Sequence, residues 1–593
     1  MCAHLTRIGT HPYEAQTQWG LASAWRSHVT VRAPYTYTLA RLTTRDGEDD
    51  AVRSLTHTID TVRSWSDYAR LGFRLGRDLP PYLRDPLTVD AARQRVHAQL
   101  QIREERFLAM ADRNIFGAPA SPYQQLLAAA GCERGDLQRL VRQDGLEGAL
   151  RQLAAAGVYV TFDEMKGRRE AVRGSQRFTF SDRDFDNPSV GAHYIELTGG
   201  TRGRPSEVRR SLGTMTDQAA SFTLALAAHG VYRPRVLFWT GASPSWAIGH
   251  LKLDNPIERW YYPIAPLPLL AQVFVGYLRL LARLGGGHLP APHHVDLTEP
   301  ERIARWLAAR AGAGRRTIVV NTATSSAVRA ANAAHELGLS LEGVLFQCRS
   351  EPLTESRRQT IERSGAYALA DYATVELSSI AYGCANRQAA DDLHLHVNRY
   401  AVVERERPAM EHGPMVRALL FTALSLDAQK VALNVETGDS ALVQERACGC
   451  DLDRLGLRTH LSEVRSFEKL SSEGTSFARS NVVRILEESL PARFGGMALD
   501  YQLVEEEASD GSMLLVLRIA PTVGPVDEEA VRGVLLTELG GAGMVDEYHA
   551  ALLQRAASVV VRRLPPLATT GGKVLPFHLE RFSAVADRPG AAR

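Results

Sequence analysis

Hydrophobic positions along the chain change rhythm twice. From about Ser121, SPYQQLLAAAGCERGDLQRLV places apolar residues at helical spacing. EGALRQLAAAGVYVTFDEM then runs from helix through an Ala-Gly break into a short β-branched strand. Further on, VLFWTGA, RRTIVVNTA and LEGVLFQCRS are short apolar runs ending in small polar residues, with the helical SSAVRAANAAHELG between the last two. That alternation predicts a largely parallel sheet covered by helices, with function at the carboxyl ends of the strands. After about Leu461 the pattern becomes that of alternating strands. MALDYQLVEEE and SMLLVLRIA meet across Ala508-Ser509-Asp510-Gly511 as a hairpin, and DEEAVRGVLLTELG follows as a capped amphipathic helix. Before about residue 115, runs such as DAARQRVHAQLQIREERFLAMADR are helix-compatible. The expected chain is α/β in three parts: a helical N-terminal extension over 1–115, a large domain with mixed or parallel sheets over 116–464, and a small α+β module over 465–593.

Composition narrows the partners. At 593 residues the chain exceeds one ordinary core, and 45% apolar with 23% charged residues is the balance of a soluble globular protein. Lys+Arg 69 against Asp+Glu 67 provides no field that would recruit nucleic acid or an anionic membrane, so neither is expected as a partner. The N-terminal MCAHLTRIGTHPYEA lacks the apolar run of a signal peptide. The uncharged stretch from Tyr261 to Leu278 is broken by Pro263, Pro266 and Pro268, and reads as a buried helix entered through a proline-rich loop rather than a membrane span. Six cysteines in so long a chain make no disulfide scaffold and fit a reducing cytoplasm.

Four segments carry candidate chemistry. Thr198-Gly199-Gly200-Thr201-Arg202-Gly203 follows the apolar strand HYIEL. Its glycines let backbone N–H groups approach phosphate, and its arginine adds charge. It is not a Walker loop, because GK[ST] is missing. Glu436-Thr437-Gly438-Asp439 follows KVALNV and reads as a tight turn whose carboxylate suits two vicinal ribose hydroxyls. Asp371-Tyr372-Ala373-Thr374-Val375-Glu376 offers an aromatic face for adenine and a carboxylate for Mg²⁺. Near the C-terminus, Pro566-Leu567-Ala568-Thr569-Thr570-Gly571-Gly572-Lys573 puts a lysine beyond a flexible loop. Each segment alone is equally readable as an ordinary turn, loop or surface lysine.

Their order is more specific. TGGTRGRP resembles the SSGTTGKP phosphate loop of acyl-adenylate-forming enzymes of the phenylacetate–CoA ligase branch. QCRSEPLTESRRQTIE resembles that branch's GAEPWTEEMRRRIE, YATVE its YGxSE, VETGDSALV its ribose-binding TGD, RSFEKLSSEG its hinge, and PLATTGGKV its terminal PxTxxGK. The resemblance spans roughly residues 100 to 593. It departs from the pattern at Gly199, Arg202, Arg204, Ala373 and Val375.

The resemblance implies an acid–thiol ligase that uses ATP and Mg²⁺ to convert a small carboxylic acid to acyl-AMP. The acyl group then passes to CoA or to the phosphopantetheine of an acyl carrier protein. Lys573, Glu376 and Thr201 would be catalytic. The loop Thr198, Gly199, Gly200, Thr201, Arg202 and Gly203 would hold the phosphates, Ser350, Glu351 and Tyr372 the adenine, and Asp439 with Arg465 the ribose. Glu468 or Lys469 would be the hinge of a mobile C-terminal lid. Relatives with an amine acceptor or with nitrite activation give an alternative reading, and a degenerate nucleotide-binding homologue gives a non-enzymatic one.

Two more sets stand apart. Cys384, the Cys448-Gly449-Cys450 pair and one histidine of LHLHV read as a tetrahedral structural zinc set, with buried or merely free cysteines as the plainer alternative. His394 and His396 point to opposite strand faces, so one alone can serve, and His394 is favoured. TGASPSWAIGHLKLDNPIERWYYPI suggests an acyl pocket with Trp246, His250, Lys252 and Tyr261. Core packing for the aromatics, and a surface position for Lys252, are the plainer alternatives.

Overall fold

The computed structural model describes residues 67–197, 207–567 and 577–578, apart from 242, 264–266, 268, 313, 409–414, 468, 473–474, 479–481, 483, 498–499 and 541–543. Residues 67–593 form one compact unit.

Its frame is a twelve-stranded sheet. Six strands are mutually parallel, in the spatial order Pro292–His294, Ile257–Tyr262, Arg235–Trp239, Ile318–Ala323, Val344–Arg349 and Tyr367–Thr374. The central pair, Ile318–Ala323 and Val344–Arg349, is buried along almost its whole length, as strands covered on both faces must be. The sheet continues antiparallel through Ser378–Gly383, Leu393–Leu395, Thr459–Ser466, Val435–Glu445, Met415–Ala423 and Tyr400–Pro408. The expected parallel sheet is therefore half of a mixed one. Short connections after Thr374 reverse the chain too tightly for helical crossovers.

Helices cover the parallel half, and their starts are legible locally. Ser211 and Thr214 form a capping box at Leu212–Ala228, and Thr354 caps Glu355–Arg363. The helices Val89–Gln101 and Arg103–Ala111 pack against the sheet domain, with Arg103 Nε and Arg106 Nη1 donating to the carbonyls of Val397 and Asn398.

The helix Leu269–Leu284 is not fully buried as expected. Val275, Leu278, Leu281 and Ala282 pack inward beside Leu75, Leu79 and Leu83, while Leu269, Leu270, Val273, Leu280 and Leu284 are exposed. One covered face suffices to hold it. Among the described residues, no helix is long and apolar enough to cross a membrane.

Toward the C-terminus lies a four-stranded sheet ordered Val559–Arg562, Met513–Ile519, Tyr501–Glu507, Phe577–His578, with helices Glu528–Leu539 and Met544–Ala556. The expected hairpin closes through Gly511 at φ +81, and Asp527 caps its helix. Thr354 Oγ1 donates to Glu507 Oε1 at 2.6 Å, and Arg357 Nε to the Gly511 carbonyl at 3.1 Å, which seats this hairpin on the start of the helix Glu355–Arg363.

Candidate functional site

The segment expected as a TGD turn lies inside the strand Val435–Glu445. Ala418 pairs with Ser440 but Leu420 with Glu436, so the ladder bulges across 437–439. Gly438, at φ +79, supplies the conformation this needs. The bulge interrupts pairing with the Met415–Ala423 strand at Asp439, which stays paired with Ser466 on its other side. Tyr372 Oη donates to Asp439 Oδ2 at 2.7 Å and lies 3.3 Å from Thr437 Oγ1. Burial, then the Asp439 carboxylate, push the Tyr372 phenol well above its ordinary range. Glu436 points the other way, into a buried pairing with Arg405 at 2.9 Å and with Arg407.

Glu376 occupies the turn between Tyr367–Thr374 and Ser378–Gly383. Its Oε1 is 2.9 Å from Lys166 Nζ, which also meets Asp182 at 2.8 Å. Burial would lower the Lys166 ammonium, but Glu376 and Asp182 together raise it, so it stays charged.

The strands Tyr194–Leu197 and Glu207–Arg210 pair antiparallel and so form the two stems of the glycine loop. Arg210 ties these stems to the Glu376 turn by donating to the Val375 carbonyl at 2.9 Å and Ser378 Oγ at 3.2 Å. Burial alone would raise the Glu196 carboxyl. Arg210 and the hydroxyls of Ser243 and Ser245 hold it below its ordinary range.

Thr198, Gly199, Gly200, Thr201, Arg202, Gly203, Glu468 and Lys573 lie outside the described residues. Lys469 opens the short strand Lys469–Ser472. Ser350 is exposed at φ +67 beyond the Val344–Arg349 strand. Glu351 is buried, its Oε2 accepting from the Ser325 amide at 2.8 Å and from Arg357 at 3.1 Å. Arg465 donates to Asp391 Oδ2 at 2.9 Å.

The aromatic segment divides. Trp246 and Tyr261 are half-buried. His250 is a core residue, with Asn255 and Asn321 each 3.1 Å from one ring nitrogen, and burial depresses its pKa to about 4. Lys252 donates to the carbonyls of Tyr82 (2.9 Å) and Asp85 beneath the Tyr82 ring, so its charge serves the end of the 67–83 helix.

Arg349 and Asp371, which sequence reasoning did not single out as site residues, join Trp246 to the Tyr372 strand. The Arg349 guanidinium lies 3.5 Å from the Trp246 ring centroid and 2.9 Å from Asp371 Oδ2. No local signal marks such a contact. Arg349 ends one apolar strand and Asp371 lies in the next.

The cysteine set converges. One ligand atom from each of Cys384, His394, Cys448 and Cys450 lies within 4.8 Å of all the others. The His394 ring donates through Nδ1 to the Leu457 carbonyl at 2.7 Å. Its Nε2 is thereby left facing Cys450 Sγ at 3.1 Å and Cys448 Sγ at 3.6 Å. A tetrahedral zinc with Zn–S about 2.3 Å and Zn–N about 2.0 Å sets such N···S separations near 3.5 Å. His396 lies on the opposite face against Tyr382. Three segments meet here: the end of Ser378–Gly383, the strand Leu393–Leu395, and the turn before the helix Asp451–Arg454. Cys384, Asp392 and His460 form a second close group. There the Asp392 oxygens are already engaged by His460 Nδ1 at 2.6 Å, the Gln388 amide at 2.8 Å, and Arg446.

No family model and no curated protein sequence matches the chain. Among solved structures, a 2-hydroxyisobutyryl-CoA ligase, in complex with 2-HIB-AMP and CoA, is similar at 14% identity over 85% of this chain and 93% of that one, with a TM-score of 0.46. An amide bond synthetase from Marinactinospora thermotolerans aligns at 14% identity, covering 70% and 72%, with a TM-score of 0.38. An o-succinylbenzoate CoA synthetase from Bacillus subtilis aligns at 12% identity, covering 65% and 68%, with a TM-score of 0.35.

Proposed function

We propose that this chain activates a small carboxylic acid with ATP, forming acyl-AMP and releasing pyrophosphate, and then passes the acyl group to a thiol of CoA or phosphopantetheine. The observation that carries the reading is the hydrogen bond of Tyr372 to Asp439. It joins two motif residues distant in sequence at the end of one strand. Beside them Arg210 fastens the stems of the glycine loop to the turn that bears Glu376.

In this reading Asp439 and Arg465 take the ribose, Tyr372 stacks on adenine beside Ser350 and Glu351, and the loop from Thr198 to Gly203 takes the phosphates. ATP and a carboxylate repel, so adenylation needs cations around the reacting phosphorus. Lys573 supplies one, and Mg²⁺ at Glu376 another. Lys166 already holds Glu376 in place. Trp246 and Tyr261 line the acyl pocket, with the Arg349 cation behind Trp246. A phenylacetate-like aryl acid suits such a wall. Glu468 or Lys469 is the hinge about which the C-terminal module turns for thiol transfer. The cluster of Cys384, His394, Cys448 and Cys450 holds a structural zinc, since three thiols and one imidazole offer four ligands and no open position. Reduced zinc thiolates fit a cytoplasmic enzyme.

Acid-dependent pyrophosphate release across aryl, fatty and amino acids tests this. Release with at least one acid class, lost in Asp439→Ala, is expected. Release that is independent of added acid would overturn the reading.

A further inference from the structure

The 384–392 loop begins at Cys384 and ends beside His394, two members of the cysteine cluster, and between them it carries two buried carboxylates. Asp392 faces His460 and Arg446. Asp391, 6% exposed, faces the strand Thr459–Ser466. That strand is irregular where Asp391 meets it. Arg465 pairs with Ser440 but Ser462 pairs with Leu442, and Glu463 sits at φ +54, a conformation costly for a residue with a side chain. The irregularity turns the amides of Glu463 and Val464 toward the loop. Asp391 accepts both, each at 3.1 Å, and with Oδ2 also takes Arg465 Nη1 at 2.9 Å. Immediately beyond, Ser466 pairs with Asp439, and the Phe467 amide donates to the Gly438 carbonyl at 3.0 Å.

We infer that Asp391 is a positioning residue: pinned through its loop by the metal at Cys384 and His394, it holds the Glu463–Val464 bulge and Arg465, and through them the Ser466 and Phe467 backbone that pairs with Asp439 and Gly438, so that metal occupancy and nucleotide binding are coupled. The nucleotide half of this inference rests on the reading proposed above. Coupling of this kind is reciprocal, so nucleotide also slows loss of the metal.

The experiment compares zinc-replete wild type, chelator-stripped wild type, Asp391→Asn, Arg465→Ala and the double variant. It reads zinc content, amide exchange in the 459–467 segment and ATP affinity by calorimetry. Asp391→Asn keeps one equivalent of zinc, exchanges faster at Glu463 and Val464, and binds ATP about tenfold more weakly, the loss expected when one charge-assisted hydrogen bond is removed. Arg465→Ala binds ATP as weakly, and the double variant is no worse than either single variant, because both break one unit. Stripping the metal reproduces the faster exchange. Unchanged exchange in Asp391→Asn or on stripping, losses that multiply in the double variant, or failure of the protein to take up zinc would overturn the inference. A wild type with no affinity for ATP removes the nucleotide reading alone, and the exchange arm still decides the clamp.

Discussion

The cysteine cluster lies in the antiparallel half of the large sheet and the proposed nucleotide cradle at the junction of its two halves, and they are held together in opposite ways. At the cluster, three thiols and an imidazole from three segments face one another. Such a packing gains stability when the thiols ionise around a cation. At the cradle the polar groups are already paired within the protein: Tyr372 with Asp439, Lys166 with Glu376, Arg405 and Arg407 with Glu436, Arg357 with Glu351. A ligand arriving there exchanges partners rather than completing the fold. Loss of ligand should therefore damage structure at the first site, and affinity or rate alone at the second.

The strongest way to break that comparison is to remove Cys448 and Cys450 together. The double Ser variant is expected to lose its zinc and to show the largest fall in Tm of any substitution considered, since structural zinc contributes on the order of 10 kcal/mol to folding. Elemental analysis with calorimetry decides. Wild-type Tm together with wild-type metal content would erase the distinction.

Lys573→Ala should act on rate alone. Acyl-adenylate formation is expected to fall by on the order of 10² or more, with zinc content and Tm unchanged, because one charge near the transition state is lost. Pyrophosphate release at the wild-type rate would remove Lys573 from the chemistry.

A smaller effect separates core from pocket at His250. Burial holds its pKa at about 4, below the ordinary 6.5, so the folded state keeps it neutral while the unfolded state protonates. Its contribution to stability is complete above pH 6.5 and is lost as pH falls toward 4, by about 1–2 kcal/mol at pH 5. His250→Gln should flatten that limb of a Tm-against-pH profile without changing acid preference. A changed acid preference would return His250 to the pocket.

These residues also show what was legible beforehand. The meeting of the three cysteines with one histidine alone followed from residue type and strand alternation, which survive folding unchanged, whereas alternation does not choose between His394 and His396. The antiparallel half of the sheet was harder to see, because its hydrophobic runs resemble those of the parallel half and only their short connections differ. The TGD segment reads as a turn by composition, yet in the sheet Gly438 makes a bulge, since neighbouring strands on both sides claim the flanking residues. Lys252 and His250 looked like pocket residues because their partners, Tyr82, Asp85 and Asn321, are remote in sequence. Arg349 over Trp246 escaped notice for the same reason.

Asp439, presented by the Gly438 bulge and held by Tyr372, is the nucleotide contact on which the proposed function rests. Titration of ATP into zinc-replete wild type and Asp439→Ala tests it most directly. Wild type is expected to bind saturably and the variant roughly tenfold more weakly, the loss of a charge-assisted contact, with Tm and zinc content preserved. Equal affinity in the two proteins would contradict it.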